Sequence, residues 1–321
     1  MPERGEGFNP IKSNERSDRR LRAFAWSSER VVAHKPHVDG WENYNELVSN
    51  PNNNFVIAAT HRSDSEVQAV VDVFSPLRKL GLVTHSFNVM DSNGEWKLPA
   101  KVIGKDNFMV LGVNRDPEQT TEARARDRYH LDPEEILAIA RRMRTEHITP
   151  VVAAHRPAYH SPLPKNPGVM DVLLAHAYAS LHEPQTEEEK IILPVAVDWQ
   201  GREPVGNSHE MGQVVKNLVT RNRPEIAIHI APAVYLEGLP QLDPELAQLK
   251  SATDQRTLTS LDLAMMTLSS SSRALLTPEQ REYGLTMLRQ LEKQSGQVMD
   301  ALANTLPEAD RGIWGKKDSE S

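Results

Sequence analysis

From Asn54 onward, short apolar runs alternate with longer amphipathic stretches, the pattern of strands alternating with helices about a sheet. Residues 55–59, Phe-Val-Ile-Ala-Ala, predict a buried strand. Residues 65–79 then place Val67, Val70, Val71 and Phe74 at helical spacing, and Gly81 is expected to stop that helix. Residues 108–113 and 151–154 predict further buried strands. Between them a helix is expected over 132–143, capped by Asp132 with Pro133 in its first turn. A helix over 170–181, a strand over 191–197 and an alternating strand over 225–230 complete the sheet. Beyond Pro240 the texture turns helical, over 254–269 and 278–305, the second helix starting at Thr277, Pro278 and Gln280. Leu288, Leu291, Val298 and Leu302 mark its apolar face, interrupted by Ser295, and residues 269–272, a serine run, predict a flexible joint. The pattern predicts an α/β fold, a mixed sheet of about six or seven strands flanked by helices, with a helical C-terminal addition. The expected divisions are 1–50 (an arm and helix), 51–245 (the α/β core) and 246–321 (the helical extension).

Composition narrows the chemistry. With 39% hydrophobic and 25% charged residues there is material for a core and for a wet surface. The net charge of −7 supplies no basic field, so nucleic acid is not an expected partner. Cysteine is absent, which removes disulfides, thiol nucleophiles and cysteine metal sites. The apolar runs fall far short of the ~20 residues that cross a bilayer. Residues 1–14 are polar and broken by Pro2, Gly5, Gly7 and Pro10, unlike a secretion signal, so a cytoplasmic protein is expected. Arg16, Arg19, Arg20 and Arg22, followed by Phe24 and Trp26, suit either a membrane-surface foot or a solvated helix end with two aromatics on the core; the second is favoured.

His61 follows the strand at 55–59 and precedes the helix, so it sits at a strand-to-helix turn, where α/β sheets hold ligands. Glu66, in the first helical turn, can fold back to orient the imidazole, and Asp64 is a second candidate. Such a carboxylate fixes the tautomer and stabilises the imidazolium.

The run Thr60-His61-Arg62-Ser63-Asp64-Ser65-Glu66 resembles the first motif of the glycerol-3-phosphate and lysophosphatidate O-acyltransferase superfamily, a histidine, four residues and an aspartate, with Glu66 here as the carboxylate. Residues 108–116, ending in Arg115 and Asp116, resemble the second motif, and Ile191-Ile192-Leu193-Pro194-Val195-Ala196-Val197 the fourth. Residues 226–238, 253–268 and 306–314 resemble the later strand, closing helix and tail, so the likeness spans about 50–314. The third motif departs from the family. In place of Phe-Pro-Glu-Gly-Thr-Arg the chain has Val152-Ala153-Ala154-His155-Arg156-Pro157, and only the later Pro164-Lys165-Asn166-Pro167-Gly168 is similar.

The resemblance implies acyl transfer from acyl-CoA or acyl-carrier protein to a hydroxyl of a glycerol phosphate, lysophospholipid or related acceptor, with His61 as general base and no metal or prosthetic group. Arg115 would hold the acceptor phosphate, with Lys165 and Arg156 beside it. Arg62 joins this cationic set and Ser63 is grouped with it as a substrate contact. Work on such acceptors implies peripheral contact with the inner membrane face. The degenerate third motif leaves open a non-catalytic acyl- or lipid-binding relative, and Ser63 beside His61 leaves open an unrelated hydrolase. His155, His160, His176 and His182 match no zinc signature, and Ser208-His209-Glu210-Met211-Gly212 lacks a second histidine at Gln213, so no metal site is expected.

Overall fold

The computed structural model describes residues 20–21, 36–50, 53–85, 89–90, 95, 97, 100–101, 104–111, 133–155, 162–165, 167–181, 190–200, 225–248 and 257–315. In chain order the elements are β1 (His37–Asp39), α1 (Trp41–Ser49), β2 (Phe55–Ala59), α2 (Asp64–Phe74), β3 (Leu80–His85) and β4 (Phe108–Leu111), the last preceded by a 3-10 turn at Lys105–Asn107. There follow α3 (Pro133–Glu146), β5 (Thr149–Ala153), α4 (Met170–Ser180), β6 (Lys190–Asp198), β7 (Ala227–Ile230) and β8 (Val234–Leu236). The chain closes with α5 (Ser260–Leu268), α6 (Ser270–Arg273), α7 (Pro278–Asn304) and a 3-10 turn at Glu308–Asp310.

The eight strands form one mixed sheet in the order β1-β7-β6-β2-β5-β3-β4, with β8 also paired to β6. Strands β2 to β6 run parallel to their neighbours, while β7 and β8 run antiparallel to β6. Strand β2 is central and buried along its whole length, as a parallel strand covered on both faces must be. Pro194 explains why β7 and β8 are separate: its carbonyl accepts Ala231 N–H at 3.0 Å, but its nitrogen has no proton to return. The ladder stops at Val195–Ile230 and resumes at Ile192–Val234.

Period-two alternation sends side chains to two cores. Val56, Ala58, Ile192 and Ala196 face a layer made by α3, α4, α5 and α7. Phe55, Ile57, Ala59, Leu193, Val195 and Val197 face α1 and α2, joined by Leu21. The architecture is therefore α/β with a mixed sheet between helical layers, as the pattern predicts. Helix α7 has the expected capping box at Thr277 and Gln280, but Leu291, Val298 and Leu302 are buried in the core beneath β2 and β6. The helical extension thus shares the core of the α/β unit.

Several expectations need correction. Residues 37–49 lie inside the sheet-bearing unit, because β1 pairs with β7 and Tyr44 and Leu47 are buried against β2; a boundary at residue 50 divides one core. Gly40 allows this entry with φ of 80°, and a Cβ there would meet the Ile230 carbonyl oxygen at 2.1 Å. Gly81 is the second residue of β3 rather than a helix stop. The serine run expected as a joint is the short helix α6, capped by Ser269. Of the arginine-rich arm only Arg20 and Leu21 are described; Phe24 and Trp26 lie outside the described residues. Among the described residues no helix is long and apolar enough to cross a membrane.

Helix α4 carries two buried titratable groups with opposite effects on stability. His176 Nε2 meets Gln294 Oε1 at 2.7 Å, and Gln294 passes a hydrogen bond to the Glu237 carbonyl at 2.9 Å. Burial lowers the His176 pKa to about 4. Asp171 accepts from Val172 N–H at 2.9 Å, yet its other oxygen has no partner, and burial raises its pKa to about 7. Between pH 4 and 6.5 the unfolded state protonates at position 176 and the folded state does not, so His176 costs stability as pH falls. A raised carboxyl does the reverse: stability present below its unfolded pKa is lost as pH rises through about 7. Asp171→Asn is expected to stabilise more at pH 8 than at pH 5, by roughly 2–3 kcal/mol, read from urea midpoints. An advantage equal at both values would rule out ionisation of Asp171 as its source.

Candidate functional site

The candidate site is built where β2 ends. Thr60 prolongs the ladder to β6 twice, donating its N–H to the Val195 carbonyl at 3.2 Å and accepting the Val197 N–H on its side-chain oxygen at 3.1 Å. The next residue, His61, is half-buried. Its backbone N–H donates to Nε2 of His155 at 3.1 Å. His155, buried just beyond β5, can accept there only with Nε2 unprotonated, which fixes its neutral form with the proton on Nδ1. Nδ1 of His61 lies 3.4 Å from the Ser63 carbonyl. In the tautomer that donates along that line, Nε2 carries the lone pair that a general base requires.

The turn that carries His61 is held by a buried ion network. Glu66 is 0% exposed and Arg62 1%. One oxygen of Glu66 accepts the Arg62 backbone N–H at 2.7 Å; the other accepts Arg62 Nε at 3.3 Å and Trp199 Nε1 at 2.7 Å. The rest of the guanidinium donates to the Val197 carbonyl at 2.5 Å and reaches Asp310 Oδ2 at 3.1 Å. Glu66 stands in the first turn of α2, where a carboxylate also meets the positive end of the helix dipole. Two carboxylates and a carbonyl meet one guanidinium, which makes so deep a burial of charge tolerable.

A C-terminal strap closes over the same end of the sheet. Besides its ion pair with Arg62, Asp310 accepts Leu163 N–H on its backbone oxygen at 2.9 Å. Trp314 Nε1 donates to the Pro164 carbonyl at 2.7 Å. Gly312 lies at φ of 64°, and a Cβ there would meet the Leu163 carbonyl oxygen at 2.3 Å. Gly168 N–H returns to the Ala154 carbonyl at 2.9 Å. The backbone on either side of Lys165 is thus anchored, and its exposed side chain stands on a loop at the carboxyl end of β5, next to β2.

His61 and the Lys165 loop both lie at the carboxyl end of the sheet. Three assignments are corrected. Arg62 is enclosed and neutralised by Glu66 and Asp310, so it is not a surface for a substrate anion. Ser63 is fully buried, which removes it as a substrate contact and as a hydrolase nucleophile. The Glu66 carboxylate is committed to Arg62 and Trp199, a structural tie rather than the expected support behind His61. The side chain of Asp64, and Arg115, Arg156, His160, His182 and residues 208–213, lie outside the described residues. Trp199 and Asp310 escaped sequence reasoning because each joins the site from a remote segment, without a local signal. His155 was visible only as a metal candidate; among the described residues no group of three or more His, Asp or Glu side chains is placed to hold a metal ion.

No protein-family model matches the chain, and no curated protein matches it.

Arg62→Met leaves Glu66 buried without its cation and is expected to cost about 3–5 kcal/mol in urea unfolding. Adding Glu66→Leu should return much of that loss. A double variant as unstable as the sum of the two singles would show that the pair does not act as a unit.

Proposed function

We propose that this protein is an O-acyltransferase that moves a fatty acyl group from an acyl thioester to an acceptor hydroxyl, with His61 as general base. The observation that carries the reading is the placement of His61: a half-buried imidazole at the carboxyl end of the central strand, on a turn made rigid by buried charge. The order of the motif-like segments along the chain adds to it.

In this reading Nε2 of His61 removes the proton from the acceptor hydroxyl as its oxygen bonds to the thioester carbonyl carbon. The tetrahedral intermediate collapses with cleavage of the carbon–sulfur bond, and the imidazolium returns its proton to the departing thiolate. The Ser63 carbonyl, 3.4 Å from Nδ1, supports the imidazolium, and Asp64 is proposed as the carboxylate that orients it. A carbonyl carries less charge than a carboxylate and supports it less. Lys165 supplies an exposed cation on an anchored loop for an acceptor phosphate or for the phosphates of a CoA donor, and Arg115 and Arg156 are proposed to join it. The donor is acyl-CoA or acyl-carrier protein, the acceptor a phosphorylated glycerol or lysolipid met at a membrane surface.

One observation favours a second reading, a non-catalytic acyl- or lipid-binding relative. Two of the groups expected at the site, Arg62 and Glu66, are spent on each other, and the third motif lacks its glutamate.

Release of free thiol from long-chain acyl-CoA, measured across glycerol 3-phosphate, lysophosphatidate and unphosphorylated polyols, separates the two. Acceptor-dependent release that falls about 10²–10⁴-fold in His61→Ala is the expected result. Folded protein that binds acyl chains but releases no thiol with any acceptor would establish the binding relative instead.

A further inference from the structure

At the amino ends of β2 and β3, away from His61 by the length of β2, about 16 Å at ordinary strand rise, lies a second concentration of unmet polarity. Arg78 sits in the turn that closes α2, its backbone N–H on the Phe74 carbonyl at 3.0 Å. Its guanidinium carbon stacks 4.6 Å from the centroid of the Phe55 ring. The residue is half-buried, and its partial desolvation lowers its pKa, yet it makes no ion pair or hydrogen bond with any described residue.

Among the described arginines that are not exposed, that is exceptional. Arg62 has Glu66 and Asp310; Arg142 has Glu146 and two carbonyls; Arg311 has a carbonyl. A half-buried guanidinium with five donors and only an aromatic face as partner is open to a ligand, because the cation–π contact engages the plane of the group and leaves its edge N–H donors without a partner among the described residues.

Beside it, Tyr44 is 4% exposed and its hydroxyl has no hydrogen-bond partner. Burial raises the Tyr44 pKa and the Arg78 charge pulls against it, which puts the two groups within electrostatic reach and keeps the hydroxyl protonated as a donor. Tyr44 is fixed edge-on to Phe55, at 6.3 Å and 82°. Tyr178, whose hydroxyl accepts from Asn54, stands within reach of the same guanidinium.

We propose that Arg78 and Tyr44 form a binding site for a single small oxyanion, a carboxylate or a phosphate group. The chemistry is that of donors awaiting an acceptor. A planar fork of N–H groups suits two oxygens of either anion, the Tyr44 hydroxyl supplies a further donor, and one negative charge cancels the one positive charge. Phe55, Phe74 and Tyr44 form an apolar wall that strengthens the pairing once water is displaced.

The test is thermal unfolding of the full chain at pH 7.5 with inorganic phosphate or acetate up to 10 mM at ionic strength held constant with sodium chloride, a range below general salting effects. The wild type is expected to show a saturable rise in Tm, on the order of 2–4 °C at a tenfold excess over Kd. The rise should vanish in Arg78→Met and shrink in Tyr44→Phe and Arg78→Lys, while persisting in Lys165→Ala and His61→Ala, which separates this site from the His61 end. Response to phosphate alone, acetate alone or both identifies the anion class. No rise above chloride with either probe, or an equal rise in Tyr44→Phe and Arg78→Lys, overturns the proposal even if Arg78→Met does not fold.

Discussion

The carboxylate of Glu66 is the constraint from which the carboxyl end of this sheet follows. It is fully buried, and it binds the backbone N–H and guanidinium of Arg62 and the indole of Trp199, from two parts of the chain. Without Arg62 that burial would be prohibitive, and without Glu66 and Asp310 the burial of Arg62 would be equally so. The network therefore holds only as a whole. Its members come from the turn after β2, from the first turn of α2, from the residue after β6 and from the C-terminal strap, so one electrostatic requirement joins segments far apart in sequence. His61 is adjacent to this assembly in the chain, and its own N–H is fixed from the other side by His155. Its backbone position is set by groups that need not take part in any chemistry.

The strap extends the same logic to the neighbouring loop. Asp310 uses its side chain on Arg62 and its carbonyl on Leu163, while Trp314 takes the Pro164 carbonyl. Gly312 is needed because only a residue without Cβ fits over Leu163 at its positive φ. The turn at Glu308–Asp310 and the residues after it thereby set the position of the loop bearing Lys165 relative to the turn bearing His61.

What could be read from the sequence follows from the range of the interactions. Strands β2 and β6 were legible because a strand buried on both faces is a continuous apolar run, and α7 because its cap is local. Strands β1 and β8 were not, since three residues at a sheet edge carry too short a pattern. Strand β3 was hidden by Gly81, which sits after a helix where a stop would sit but packs there against Ile148 and Met109. At the site, the position of His61 was legible from its place between a strand and a helix. The partner of Glu66 was not. Both His61, five residues back, and Arg62, four back, are within chain reach of it, and nothing in the spacing says which of them the carboxylate takes. Trp199 then commits the remaining capacity of the carboxylate from a distance no local pattern encodes.

The two ends of the sheet treat an arginine in opposite ways, one buried and one half-buried, and the difference bears on what each end is for. Arg62 meets carboxylates and a carbonyl within the chain, so its charge is spent internally and serves structure. Arg78 meets an aromatic face and phenol groups, none of which carries a compensating charge in the folded state. Folding desolvates both, but only the first recovers the cost from within the described chain. An arginine already neutralised by its own protein has little to offer a ligand, whereas one held half-buried with no compensating charge among the described residues favours an anion. Motif resemblance drew attention to Arg62 because it stands beside His61; the charge around each guanidinium, rather than its nearness to a motif, separates the arginine that builds the protein from the one placed to bind.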